Sequence, residues 1–148
     1  MSAPAGRRAR LRAAWNMTNL STPLGLLVAA LTGTRVVRGP EGLLLGFGYR
    51  PRPPRAGAFT VGNVVLFRGG PDDVAARPRL LAHESRHASQ YALCLGLPFL
   101  PLYGAAAGWS VLRCGHPAPH NLFEVRAGLA DGGYRARPRR RHGPSARN

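Results

Sequence analysis

Residues 80–91 read LLAHESRHASQY and carry His83 and His87 four apart, with Glu84 directly after the first. On an α-helix this spacing stacks the two imidazoles on one face, where they could hold one metal ion at about 2.0–2.1 Å each. Glu84 then stands beside the ion rather than on it, the place of a general base that takes a proton from the water the ion activates. The chain has only three glutamates and five histidines, so this string is an improbable accident. The expected chemistry is hydrolysis on Zn2+, with His83 and His87 as metal ligands and Glu84 as the catalytic base. The bland alternative is a structural pair of histidines and an acid that share a helix.

A hydrolytic zinc needs a third protein ligand and a position left for water. The metzincin pattern would need Gly at position 90 and His at position 93; Gln90 and Leu93 stand there, which excludes it. Glu124, His116, His120, Cys94 and Cys114 remain as candidates for the metal. Glu124 is the best of them, because it is the only acid between Glu84 and Asp131 and lies in a predicted helix whose neighbours Phe123 and Ala127 mark a buried face. A carboxylate aimed inward from such a face is costly unless a cation meets it. The rival reading pairs Glu124 with Arg126 or Arg86 in an ordinary salt bridge.

HESRH, followed 37 residues after His87 by the glutamate of NLFEVRAG, resembles the gluzincin type of zinc metallopeptidase. More narrowly it is similar to minimal gluzincins with H-E-x-x-H-x-x-Q and a later E-x-x-A, here His83, Glu84, His87, Gln90, Glu124 and Ala127. The resemblance covers roughly residues 58–134. It implies an edge strand leading into the zinc helix, zinc on His83, His87 and Glu124, Glu84 as base and proton shuttle, and a peptide or protein substrate. An oxyanion donor is also wanted, with Tyr103, His120, Arg126 and Tyr134 as candidates. Larger gluzincins place an acid four residues after the ligand glutamate to orient a histidine. Here that position is Gly128, which leaves Asp131, Asn121 and backbone carbonyls as candidate partners.

These residues must be positioned by the elements around them. The site helix is expected to start after Pro78 and end near Gly96, and a second helix to run from His120 or Asn121 to the stop at Gly132-Gly133. Upstream, Pro23 to Thr32 predicts a helix capped by Ser21 or Thr22 and stopped at Gly33. TRVVRGPEGLLLGFGYRP predicts a β-hairpin about Gly39–Gly42, and AFTVGNVVLF (58–67) a third strand, at an edge with a bulge or a close contact at Gly62 and Asn63. The predicted class is α+β: a small zincin-like domain with a three-stranded or slightly larger sheet packed on helices that include the H-E-x-x-H helix.

The chain has 148 residues and a formal net charge of +15, with all 21 basic residues arginine. Ten of these lie in residues 1–12 and 135–148, read as a basic flexible tail and an Arg-rich disordered tail around a domain at 13–134. Within that domain 11 arginines face six acids, an ordinary balance. Nucleic acid or an anionic surface could still bind the tails, and a rival class is a basic binding protein. A further alternative is a zinc-stabilised domain without catalysis. Residues 93–112 carry no charge and are read as a buried helix broken at LPFLP; peripheral membrane contact is the second reading and a spanning helix the third. Cys94 and Cys114 are expected as small buried hydrophobes, Trp15 and Trp109 as core or interface anchors. With no signal-peptide pattern and no C-x-x-C pair, the expected compartment is cytoplasmic.

Overall fold

A computed structural model of the chain describes residues 6–52, 54 and 56–139. Helices α1 (Arg7–Thr18) and α2 (Ser21–Leu31) lead into β1 (Val36–Arg38), a 3-10 turn (Pro40–Gly42) and β2 (Leu44–Gly46). Strands β3 (Ala58–Val61) and β4 (Val64–Phe67) follow, then helices α3 (Pro71–Ala75), α4 (Pro78–Leu93), α5 (Phe99–Cys114) and α6 (Leu122–Ala127). The class is α+β. One mixed sheet has the order β1-β2-β4-β3: β1 and β2 form the predicted antiparallel hairpin, β2 runs parallel to β4, and β3 runs antiparallel to β4 at the edge.

The stretch 58–67 is two strands rather than the single strand predicted. Val61 pairs with Val64, so Gly62 and Asn63 are a two-residue hairpin loop. Gly62 adopts φ +63°, and a Cβ there would stand 2.3 Å from the Thr22 amide nitrogen, so the turn and its close neighbour both require glycine. The fold-back also explains the unbroken apolar run VVLF. Strand β4 is central and buried on both faces: Val65 and Phe67 pack with Leu43, Val74 and Ala88, while Val64 and Leu66 pack with Ala29 and Tyr49.

Three helical boundaries differ from expectation. Residues 7–12, assigned by composition to a tail, form the first turns of α1, and the Arg12 guanidinium donates to Ser85 Oγ at 3.1 Å and to the Glu41 carbonyl at 2.7 Å. Helix α2 starts at Ser21 after Leu20 and has no side-chain cap; the Thr22 hydroxyl instead accepts from the Asn63 amide at 3.1 Å. Helix α6 stops at Ala127, where Gly128 turns the chain at φ +92°. The run 93–112 is also corrected: it yields α5, which buries only Phe99, Ser110 and Cys114 and is no core helix. No helix among the described residues is long and apolar enough to cross a membrane.

The back of α4 is held by a buried amide network. Asn16, fully buried in α1, donates to Asn63 Oδ1 at 2.7 Å and to the Ala88 carbonyl at 2.8 Å, and Asn63 in turn donates to the Gly42 carbonyl at 3.0 Å. Two side chains thus tie α1, the β3–β4 loop, the 3-10 turn and α4 together. Asn16→Ala leaves buried acceptors without a donor and is expected to destabilise the fold by about 1–3 kcal/mol. Urea unfolding reads this directly, and an unchanged midpoint would contradict the role given to the network.

Candidate metal centre

Helix α4 begins with Pro78 at its first position, where a missing N–H costs nothing, and runs 16 residues. Its apolar and small side chains sit against β3 and the sheet, which turns His83, Glu84, His87 and Gln90 into the interior. Helix α6 is only six residues long and needs its cap: the Asn121 side chain accepts from the Phe123 amide at 3.0 Å. That first turn aims Glu124, 2 % exposed, at the histidines.

Three of the candidate ligands meet. His83 Nε2 lies 3.2 Å from Glu124 Oε2, His87 Nε2 lies 3.5 Å from Glu124 Oε1, and the two Nε2 atoms are 3.0 Å apart. His116, His120, Cys94 and Cys114 are not part of the group. Cys114 is buried against the Ser110 and His116 carbonyls, whereas Cys94 is half-buried beside Tyr91 and Phe99.

Hydrogen bonding at the far side of each ring decides what the near side offers. His83 Nδ1 stands 3.0 Å from the Gly128 carbonyl and 3.2 Å from that of Ala127, so it can only donate. His87 Nδ1 stands 2.8 Å from Gln90 Oε1, and Gln90 uses its amide nitrogen to donate to the Phe123 carbonyl at 2.9 Å, so this nitrogen too is a donor. Both neutral rings therefore point a lone pair inward, at each other and at a carboxylate. Such a triangle is repulsive unless something positive fills it. Among the described residues Glu124 Oε2 is buried with no hydrogen-bond donor, its near neighbour being the His83 Nε2 lone pair at 3.2 Å.

The titration directions express the same demand for positive charge. Burial depresses His83, but Glu124 and Glu84 outweigh it and raise its pKa. Burial pushes Glu124 up, yet His83, His87 and the Tyr103 hydroxyl hold its carboxyl far below the carboxylate range. One proton joins two of the three groups, whereas one divalent cation satisfies all of them. The donor set, two imidazole nitrogens and one carboxylate, suits zinc.

Glu84 is buried next to the triangle with a separate partner. Its Oε2 accepts from the Thr60 hydroxyl of β3 at 2.7 Å. Burial raises its pKa, and the opposing pull of His87, Thr60 and His83 does not cancel the effect. A carboxylate lifted above its ordinary range is a better proton acceptor near neutrality. Sequence reasoning missed Thr60, whose only signal was its place on the strand before the helix.

The remaining expectations sort by position. A cleft of about 610 Å³ is walled by β3 on one side and by Phe99, Leu100 and Tyr103 of α5 on the other, with His83, Glu84, His87 and Glu124 between them. Among the oxyanion candidates, Tyr103 and Tyr134 line this cleft, whereas His120 and Arg126 do not. Burial and the nearby carboxylates push Tyr134 up to about 12 and Tyr103 still higher, so both phenols keep their protons. Tyr103 donates to Glu124 Oε1. His116, read earlier only as a metal candidate, joins the cleft wall. Asp131 pairs with Arg86 at 2.8 Å and Asn121 caps α6, which leaves backbone carbonyls as the partners that orient His83.

Gly132 completes the support, since a Cβ built there would stand 2.6 Å from His83 Cε1 and 2.8 Å from its Nε2. Gly132→Ala must therefore displace the imidazole. The expected result is metal affinity lower by roughly 10–100-fold, the usual loss when a ligand's support is disturbed. Chelator-competition titration measures it, and wild-type affinity would place His83 outside the metal site.

A family model described as the eCIS core domain, a metallopeptidase-like domain, matches residues 52–93. The matched span holds β3, β4, α3 and α4 with its H-E-x-x-H string, is less than a third of the chain, and ends before Glu124. No curated protein and no solved structure matches the chain.

Proposed function

We propose that this chain is a zinc-dependent peptide hydrolase of the gluzincin kind, with a zincin-like arrangement of an edge strand beside an H-E-x-x-H helix. His83, His87 and Glu124 would hold the ion, and Glu84 is the general base. The observation that carries this reading is the inward triangle of two Nε2 lone pairs and a buried carboxylate, with each Nδ1 already committed to an acceptor. Zinc, when bound there, supplies an acidified water and a polarised substrate carbonyl.

The other tasks fall to the chain's own residues. The Thr60 hydroxyl holds Glu84 by Oε2, which leaves Oε1 to take a proton and later return it to the leaving amine. Tyr134, which lines the cleft and keeps its proton, donates to the oxygen that gains charge, whereas Tyr103 already donates its proton to Glu124 Oε1. Strand β3 has hydrogen-bonding capacity on the side away from β4, which suits a peptide added as one more strand. Phe59, Phe99 and Leu100 make the walls apolar and limit the water around the reacting bond.

Incubating the zinc-loaded protein with a mixed peptide library tests the reading by mass spectrometry of new termini. Cleavage that stops on chelation and returns with zinc is the expected result. Stoichiometric zinc with no cleavage would reduce the site to a metal that stabilises the fold.

A further inference from the structure

Helix α5 is built inside out. Its polar side chains turn inward or sit at its end: Tyr103 meets Glu124, the Ser110 hydroxyl donates to the His116 carbonyl at 2.6 Å, and Arg113 lies in the last turn. Every exposed residue of the helix is apolar or glycine. Leu100, Leu102, Trp109, Val111 and Leu112 are between 43 and 76 % exposed, and Leu93 and Leu95 just before the helix reach 81 and 67 %. A surface helix in water normally shows charged side chains on its outer face, so a continuous outer face without one marks a surface that water does not normally cover.

Charge decides which occupant fits. A second copy of the chain would bring together two molecules of formal charge +15, which repel. No acidic residue lies between Ser85 and Phe123, so nothing along this stretch repels an anion. Basic groups gather toward the C-terminal end of α5. The Arg113 guanidinium lies 4.3 Å over the Trp109 ring, and Tyr134, whose ring is 6.0 Å from that of His116, leads into the exposed Arg135, Arg137 and Arg139. An apolar face with a Trp-Arg pair at its edge and arginines beyond is complementary to a bilayer of anionic lipids. At 16 residues and about 24 Å the helix is too short to cross, so it would lie in the plane of the surface.

We propose that the outer face of α5 docks this protein on an anionic lipid bilayer, with Leu102, Trp109 and Leu112 entering the acyl boundary and the arginines beside them meeting the headgroups. Leu100 and Tyr103 also line the cleft, so the docked helix would bring the cleft close to the membrane surface. The docking is independent of whether the site hydrolyses peptides.

The test uses the full chain and vesicles of phosphatidylglycerol and phosphatidylcholine in equal parts, compared with phosphatidylcholine alone. The protein is expected to sediment with the mixed vesicles, and Trp109 emission in a Trp15→Phe background is expected to shift to the blue. Leu112→Glu and Trp109→Ser should each weaken partition by about tenfold or more while circular dichroism stays unchanged. If Leu112→Glu alters the dichroism, Leu102→Glu, more than two turns away, supplies the same reading. Vesicle binding undiminished in these variants would assign the affinity to the arginines alone and overturn the proposal. No binding to mixed vesicles would overturn it as well, and a concentration-dependent dimer abolished by Leu112→Glu would reassign the face to a second copy.

Discussion

Glu124→Ala and His83→Ala are each expected to purify without zinc, while the wild-type chain carries close to one equivalent. Either change removes one of three protein donors, so the loss should exceed the roughly 10–100-fold that a missing supporting hydrogen bond costs. The physical basis is the geometry of the triangle: each donor lies within 3.5 Å of the other two, so no two of them reproduce the third. Elemental analysis after dialysis measures the content. A thermal scan adds an independent reading, because a ligand held only by the folded state at about 100 times its dissociation constant stabilises by about 2.7 kcal/mol. Added zinc should therefore raise the melting temperature of the wild type and leave both variants where they are. Near-stoichiometric zinc in all three proteins would sink the ligand assignment.

Glu84→Gln should separate binding from chemistry. The amide keeps the size of the carboxylate and can still accept from the Thr60 hydroxyl, so the local packing and the zinc content should hold. What disappears is the basic oxygen. General-base contributions of about 10²–10⁴ in rate set the expected loss, read as new termini from a peptide library. Undiminished cleavage by the variant would remove Glu84 from the mechanism and leave the metal ligands untouched. Thr60→Val extends the same logic: it removes a donor from a buried carboxylate and should lower the rate less than Glu84→Gln, with Thr60→Ser restoring it. Equal rates in the wild type and all three variants would place Glu84 and its support outside the reaction.

Much of the site was legible because helical spacing is a local property. A spacing of four from His83 to His87 puts both on one face whatever surrounds them, and the glutamate after the first is carried with them. Glu124 could be found by elimination, since an acid on a buried face demands a partner. The supports were legible only in outline: backbone carbonyls stood among the candidate partners of a histidine, but not which ones. Thr60, Gln90 as a fixed acceptor, and the carbonyls of Ala127 and Gly128 act through contacts that local pattern does not encode.

The fold divides in the same way. The two long apolar runs were visible, but their placement was not. Residues 58–67 carry the composition of one strand, and only the approach of Thr22 to Gly62 makes the fold-back the compact solution. Residues 99–114 carry the composition of a core helix, yet only Phe99, Ser110 and Cys114 of it are buried and its outer face is left uncovered. The arginines of 7–12 resemble a tail until Ser85 and Glu41 give Arg12 its partners.

By itself the sequence determined which residue types could do chemistry and that His83 and His87 share one side of α4, because both follow from residue type and the 3.6-residue turn. Tertiary structure decided the tautomers, the orientation of Glu84, the wall of the cleft and the exposure of α5. These depend on which distant groups come within hydrogen-bonding or van der Waals reach, and distance in space between remote positions is what a linear pattern does not hold.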